Sequence, residues 1–170
     1  MKHLLALLAA LLFAGAVSAQ VREFKIDEVF TSGEEYVGQQ IAVSGLCSHL
    51  CKHGGKKMFL RGANGLLRIE SSKQTGAFKT DAVNEPVRVT GILRETRIDE
   101  TYLRNWEDRL ASGVAGHDGC ETEAAARGDR GSTEQQKIDN FRKRIAERAE
   151  REGKNYLSVF YVDADAYEIL

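Results

Sequence analysis

The stretches Ile41-Ala42-Val43-Ser44-Gly45 and Val87-Arg88-Val89-Thr90-Gly91 decide the fold. In both, apolar residues recur at every second position and a glycine follows, which predicts half-buried β-strands. Pro86 stands just before the second stretch, where a missing backbone donor costs least. Three more strands are predicted: Lys57 to Arg61, Leu66 to Glu70 after the Asn64-Gly65 turn, and Tyr156 to Leu170.

Helical patterns stand before and between these strands. Residues 26–38 predict two short helical turns that end at Gly38. Between the fourth strand and the last, apolar residues at helical spacing predict two helices joined by a loop over residues 111–131. The first contains Leu103, Trp106, Leu110 and Val114 and is capped by Asp99 or Thr101; the second contains Ile138, Phe141, Ile145 and Ala149, begins at Ser132 or Thr133 and ends at Gly153.

The order of elements is strand, strand, strand, loop, strand, helices, strand. Five short strands predict a small barrel, because closure removes the sheet edges that an open sheet exposes. We therefore expect a mainly β fold (β+α), a five-stranded OB-like barrel with a two-helix insertion before the last strand. The barrel forms a single domain over residues 20–170, and the helical insertion spans residues 98–153.

This pattern resembles the exported bacterial OB-fold proteins of the periplasm. The resemblance implies a barrel-curving glycine in the first and fourth strands, at Gly45 and Gly91. One difference concerns the helices, because that family usually places its helix between strands three and four. Inserted helices between strands four and five can cover the usual ligand face. The residues that carry the resemblance are Ile41 to Gly45, Leu66 to Glu70, Val87 to Gly91 and Val162 to Ile169.

Composition and charge exclude several classes of protein. The 170 residues are 42% hydrophobic, with 24 Lys and Arg against 25 Asp and Glu. A disordered chain has fewer apolar residues, and a membrane transporter has several long apolar runs. A protein that coats nucleic acid carries a basic excess, so the near-neutral charge disfavours a nucleic-acid partner.

The N-terminus has the pattern of a secretory signal peptide over residues 1–19. Lys2 precedes an apolar run from Leu4 to Phe13, and small residues precede the predicted cleavage after Ala19. The run is too short to span a bilayer, which takes about 20 residues. We expect a periplasmic or secreted protein with no membrane span in the mature chain. Its cysteines would then meet an oxidising compartment.

The side chains best suited to bind a metal lie between positions 47 and 53. Cys47, His49, Cys51 and His53 recur at every second position, so in an extended strand all four point to one face. Thiolate and imidazole ligands suit zinc or copper. Alternate strand residues are about 6.6 to 6.8 Å apart, whereas zinc ligands lie about 2.0 to 2.3 Å from the metal. All four can share one ion only if the strand bends, which Gly54-Gly55 permits.

A second His/Cys pair, His117 and Cys120, lies in the loop between the helices. The predicted metal site combines Cys51, His53, His117 and Cys120, with Cys47 or His49 as substitutes. It would hold zinc or copper, and no other cofactor is expected. The alternative is a structural disulfide, Cys51 with Cys120 or Cys47 with Cys120, worth about 2 to 4 kcal/mol. The two hypotheses compete, because a disulfide-bonded sulfur is no longer a thiolate ligand.

A basic and aromatic hairpin forms a second candidate surface. Its residues fit an oligosaccharide or a single strand of nucleic acid, which are two kinds of ligand that OB folds often bind. The alternative is a solvated hairpin with Phe59 in the core. The predicted ligand-binding residues are Lys52, Lys56, Lys57, Phe59 and Arg61.

No catalytic residues are predicted, because the sequence has no nucleophile elbow, phosphate loop or His-Glu-x-x-His pattern. Covalent haem is disfavoured because Lys52, and not histidine, follows the second cysteine. We expect an exported, non-enzymatic binding protein whose partner is a metal ion or another small ligand. The alternative is an OB module for oligosaccharide or nucleic acid whose cysteines form a structural disulfide.

Overall fold

The computed structural model describes residues 21–52, 54–113 and 131–170. The predicted signal peptide, His53 and the segment with Val114, His117 and Cys120 lie outside these residues. The strands are β1 (Arg22–Lys25), β2 (Gln40–Leu50), β3 (Lys57–Arg61), β4 (Leu66–Ser71), β5 (Pro86–Ile98) and β6 (Leu157–Ile169). The helices are α1 (Ile26–Ser32), α2 (Glu100–Ala111) and α3 (Glu134–Glu152), and short 3-10 turns span Gly33–Tyr36 and Thr80–Ala82.

Strands β2 to β6 close into a barrel. Around the barrel the order is β2, β3, β4, β6, β5, and β5 pairs again with β2. Strands β4 and β6 are parallel, and the other neighbours in the barrel are antiparallel. This Greek-key order, a three-strand meander whose first strand also pairs with the fourth, is that of an OB fold. The predicted OB-like barrel with helices before the last strand is therefore confirmed.

The barrel interior is filled by apolar side chains from alternate positions of the strands. Because successive side chains point to opposite faces, this period of two places one set inside and leaves the polar set outside. The residues inside include Ile41, Val43, Met58, Leu60, Leu67, Ile69, Val87 and Val89, each of which is 0% exposed.

Two glycines permit close approach of neighbouring elements. At Gly45 a Cβ atom would lie 2.2 Å from Cδ1 of Ile26, and at Gly91 it would lie 2.1 Å from the carbonyl oxygen of Asp163. In the pairing of β5 with β6, Thr90 is opposite Ala166 and Gly91 is opposite Ala164, so Asp165 is an extra residue and a bulge bends β6 there. Gly91 therefore permits close approach of β6 opposite this bulge, and Gly45 makes room for α1.

Both long helices start at a predicted cap, and α3 also ends at its predicted one. The Asp99 carboxylate, and not Thr101, accepts the Tyr102 N–H at 2.8 Å at the start of α2. Helix α3 begins after Thr133, which exchanges hydrogen bonds with Gln136 as a capping box. It ends at Gly153, whose φ of +70° is the left-handed conformation that glycine adopts without strain.

The helices form a second, smaller apolar cluster on the ends of β5 and β6. Trp106 is 3% exposed and its indole N–H donates to Glu134 at 3.1 Å, so it anchors this cluster. The buried members are Ile98, Leu103, Trp106, Ile138 and Phe141, with Leu157 and Val159 packed against them.

Strand β5 is longer than predicted at the end that carries the helices, whereas β6 agrees with the predicted Tyr156 to Leu170 within one residue at each end. Each has 13 residues, and Glu95 to Ile98 pair with Leu157 to Phe160 as a two-stranded ribbon. The sequence does not indicate this ribbon, because residues 94–97 are all polar and interrupt the alternation of apolar and polar residues. Strand β1 was not predicted, since four residues are too short for a periodic signal. Within the three described ranges, no helix has the length and apolar character needed to cross a bilayer.

Candidate functional site

A tight turn at the end of β2 carries the first Cys/His segment. The Cys51 N–H donates to the Lys57 carbonyl at 2.8 Å, and the Gly55 N–H donates to the Cys51 carbonyl at 3.2 Å. Gly54 and Gly55 have φ values of +75° and +61°, so both adopt the left-handed conformation that a side chain disfavours. The chain bends here, as the Gly-Gly pair predicts.

The turn is fixed against the segment that follows β4. The Phe78 N–H donates to the Gly55 carbonyl at 2.9 Å, and a Cβ atom at Gly55 would lie 2.9 Å from the Phe78 carbonyl oxygen. The Ser71 N–H likewise donates to the Lys56 carbonyl at 2.9 Å. These contacts hold the backbone around Cys51 in one conformation.

A β-bulge interrupts the regular alternation before the turn. Cys47 is paired with Leu60 and His49 with Phe59, so Ser48 is an extra residue with no partner of its own on β3. The Ser48 hydroxyl donates to the Phe59 carbonyl at 3.1 Å. The bulge turns Cys47 and His49 to opposite faces, so these two side chains do not share the single face that a regular strand would give them.

Cys47 and His49 consequently lie on opposite sides of the barrel wall. Cys47 is 0% exposed and belongs to the barrel core, and burial raises the pKa of its thiol. The His49 ring lies on the outer side, with its centroid 5.9 Å from that of Phe59. A thiol that stays protonated is a poor metal ligand, so the structure favours a packing role for Cys47.

A cleft of about 400 Å³ opens at the turn. Two of the predicted ligands, His49 and Cys51, line it together, and Lys52 stands at its edge. Cys51 is 7% exposed. Among the described residues no three His, Cys, Asp or Glu side chains are close enough to hold a metal. Because His53, His117 and Cys120 lie outside those residues, the metal site stays a prediction.

The basic hairpin presents charge but no open aromatic face. Lys52, Lys56 and Arg61 are exposed, and Lys57 is half-buried. Phe59 is 1% exposed, so its ring is closed to stacking in this structure. It is not part of the interior cluster, because its neighbours Met58 and Leu60 occupy that side of β3.

A charged cluster that the sequence analysis missed joins the N-terminal region to α3. Glu34 accepts hydrogen bonds from Arg148 at 2.7 Å and from Ser158 at 2.9 Å, and it also pairs with Lys154. Lys154 and Arg148 lower the pKa of Glu34 to about 2. The sequence predicts a solvated basic face on α3, whereas the Arg148 side chain is only 14% exposed. The regular spacing of Phe141, Arg144 and Arg148 is the signal that could have shown this face to be buried in part.

A second network joins the two long helices. The Arg142 guanidinium donates to Glu107 at 2.8 Å and to Glu100 at 2.9 Å. Hydrogen bonding to Arg142 lowers the pKa of Glu107 to about 2. Charge as well as apolar contact therefore holds α2 against α3.

No protein-family model matches the chain, and no curated protein matches it. Among solved structures, asparaginyl-tRNA synthetase from Pyrococcus horikoshii complexed with asparaginyl-adenylate is 13% identical, with a TM-score of 0.41, over 88% of this chain and 22% of that one. A putative aspartyl-tRNA synthetase from Leishmania major Friedlin is 16% identical, with a TM-score of 0.34, over 52% of this chain and 19% of that one. The chain thus spans about a fifth of the length of these enzymes. The strand order of the barrel is by itself that of an OB fold.

Proposed function

We propose that this protein is an exported, non-enzymatic binding protein that holds a zinc or copper ion at the turn between β2 and β3. The proposed ligands are Cys51, His53, His117 and Cys120, with His49 as a further donor. The observation that supports this proposal is the cleft at the turn, which collects His49 and Cys51 beside the Gly54-Gly55 bend.

Both Cys/His segments lie in loops of the kind that OB folds use for binding. In OB folds the loop after the first barrel strand and the loop after the fourth border the ligand face. Here the first of these loops follows β2 and contains His53, and the second is the insertion between β5 and β6, which contains His117 and Cys120. Each Cys/His segment therefore belongs to one of the two loops that an OB fold uses for binding.

Metal content and a thiol count test the proposal. Protein purified from its native compartment should contain about one equivalent of zinc or copper, as expected for a four-ligand site. The variants Cys51→Ser and His117→Ala should lose the metal. Cys47→Ala is the matched control, because Cys47 packs inside the barrel and its loss should leave the metal content unchanged.

The alternative predicts a different result from the same samples. If Cys51 and Cys120 form a structural disulfide, the protein will contain one reactive thiol after unfolding and no metal. That outcome would exclude the metal site. It would leave an OB module whose exposed Lys52, Lys56 and Arg61 are available to an acidic oligosaccharide or a nucleic acid.

Export is tested separately by the mass of the mature chain. Cleavage after Ala19 leaves Gln20 as the first residue. Intact mass spectrometry of the protein from the periplasm or the medium should show this N-terminus. Recovery of the uncleaved chain in the cytoplasm would contradict export without deciding whether the chain binds metal.

A further inference from the structure

A second cleft lies between the barrel and helix α3. Its volume is about 650 Å³, within the range of about 300 to 1,000 Å³ that small-molecule sites occupy. Its walls come from α1, the 3-10 turn after it, α3 and the start of β6. It has no lining residue in common with the cleft at the β2–β3 turn.

Part of the wall of this second cleft is apolar. Phe30 comes from α1, Phe141 from α3, and the others from the first residues of β6. An apolar surface at the base of a concave site attracts the hydrocarbon part of a ligand, because burial removes that part from water. The apolar lining residues are Phe30, Phe141, Leu157, Val159 and Phe160.

The α3 side of the cleft is basic. Phe141, Arg144, Arg148 and Arg151 follow one another at intervals of three or four residues, so they occupy one face of the helix. All four line the cleft, and Lys154 follows just beyond the helix. One helix face therefore changes from aromatic to cationic along its length.

Ion pairs inside the protein fix part of this basic wall. Arg148 donates to Glu34 at 2.7 Å, to Glu152 at 2.8 Å and to the Tyr156 carbonyl at 3.0 Å. Lys154 also pairs with Glu34. Arg148 and Lys154 are thus neutralised by groups of the protein itself, and they shape the cleft without leaving charge for a ligand.

Positive charge remains at the mouth of the cleft. Arg144 is exposed and lies over the Phe141 ring at 5.6 Å, and it forms no ion pair with any described residue. Arg151 is 68% exposed and shares the single carboxylate of Glu152 with Arg148. The acidic lining residues are Glu34, Glu35 and Glu152, against four basic ones, so the cleft carries a net positive charge.

We propose that this cleft binds a small amphipathic carboxylate, with its hydrocarbon part on the apolar wall and its carboxylate at Arg144 and Arg151. The planar fork of a guanidinium matches the two oxygens of a carboxylate. The apolar and the basic surfaces adjoin at Phe141, where the helix face changes character. The ligand class follows from this adjacency, since an inorganic anion would leave the apolar wall uncovered.

Titration with decanoate, monitored by amide NMR of the full mature chain, tests this inference. Saturable shifts are expected at residues 30–32 and 157–160, which line the cleft. Decanol is the neutral comparison and should bind about tenfold more weakly, the change expected when a charge-assisted hydrogen bond is absent. The double variant Arg144→Gln, Arg151→Gln should reduce decanoate affinity by a similar factor.

Lys143→Gln is the matched control on the same helix. Lys143 is 77% exposed by its side chain and does not line the cleft, so its loss should leave affinity unchanged. A second variant, Thr31→Trp, places a large side chain at the cleft wall and should abolish the shifts while the thermal midpoint is retained. Equal affinities for decanoate and decanol, or equal affinities in the arginine and lysine variants, would overturn the inference.

Discussion

The barrel and the helical insertion are stabilised in different ways. The barrel encloses one continuous apolar cluster with members from all five of its strands. The insertion has only a small cluster around Trp106 and adds charged contacts, chiefly those of Arg142 with Glu100 and Glu107. Apolar side chains do not titrate, whereas exposed ion pairs are screened by salt and lose their charge when the pH reaches the pKa of one partner. The two regions should therefore fail under different conditions.

The largest expected effect is in the barrel, at Gly91. In Gly91→Ala the new Cβ would meet the Asp163 carbonyl oxygen at 2.1 Å, and backbone on both strands would have to move. We expect the free energy of unfolding to fall by at least about 3 kcal/mol, the upper end of the range for overpacked cores. Urea denaturation of the wild type and the variant measures it.

Gly45→Ala is the comparison within the barrel. Its new Cβ would meet Cδ1 of Ile26, the flexible end of a side chain that can rotate away. We expect a loss of about 1 kcal/mol, at the lower end of the same range. Equal losses at the two positions would show that the barrel does not depend on close backbone approach at Gly91.

The next largest effect is in the insertion, at Ile138. Ile138 is 0% exposed within the smaller cluster, so Ile138→Ala removes buried methyl groups and should cost about 2 to 3 kcal/mol. Amide hydrogen exchange should rise in α2 and α3 and stay slow in β2 to β6, because the insertion can open locally. A uniform increase over the barrel strands would contradict separate cooperativity.

The cap of α3 should contribute less. Thr133→Ala removes the side-chain acceptor of the Gln136 N–H, an interaction of 3.2 Å, and should cost about 1 kcal/mol. Thr133→Ser keeps the hydroxyl and is the control. Hydrogen exchange at the first turn of α3 distinguishes the two variants.

The smallest effect is the pH dependence of the insertion. Arg142 lowers the pKa of Glu107 to about 2 in the folded protein, whereas the pKa of a glutamate in the unfolded chain is about 4.3. The folded pKa is the lower one, so this contribution is complete above about pH 5 and is lost as the pH falls towards about 2. Protection factors in α2 and α3, corrected for the pH dependence of intrinsic amide exchange, should fall over that range in the wild type.

Arg142→Gln removes the partner and should make this part of the pH dependence disappear. The pair at Glu34 behaves in the same direction, since Lys154 and Arg148 lower its pKa to about 2. The double variant Glu34→Gln, Arg142→Gln should therefore have the flattest profile. A wild-type insertion that stays equally protected from pH 7 to 3 would show that the ion pairs are not stabilising.

The fold was predictable because local signals in the sequence agree with it. The alternation at Ile41 to Gly45, the Asn64-Gly65 turn and the Thr133 cap each depend on neighbours along the chain. The ribbon at Glu95 to Ile98 was missed because its polar residues contact β6 and not a continuous core.

The candidate site was less predictable, because contacts between distant residues shape it. The Cys/His period continues unbroken through residues 47 to 53, yet a hydrogen bond from Ser48 to Phe59, 11 positions away, holds the bulge. Glu34 and Arg148 are 114 positions apart, so no local pattern indicates their pairing. The two-residue spacing predicts one shared face and carries no signal of the bulge that turns Cys47 and His49 apart.

The two-stranded ribbon of β5 and β6 connects the barrel to the helical insertion. Ile98 is paired with Leu157, so the chain leaves the sheet and returns to it at adjacent positions. Antiparallel partners can be joined by a turn of about two residues, and the closure of the barrel therefore makes no demand on the length between them. At the Ile98–Leu157 end of the ribbon, a short turn or another whole domain can replace the helices while the strand order of the barrel is kept.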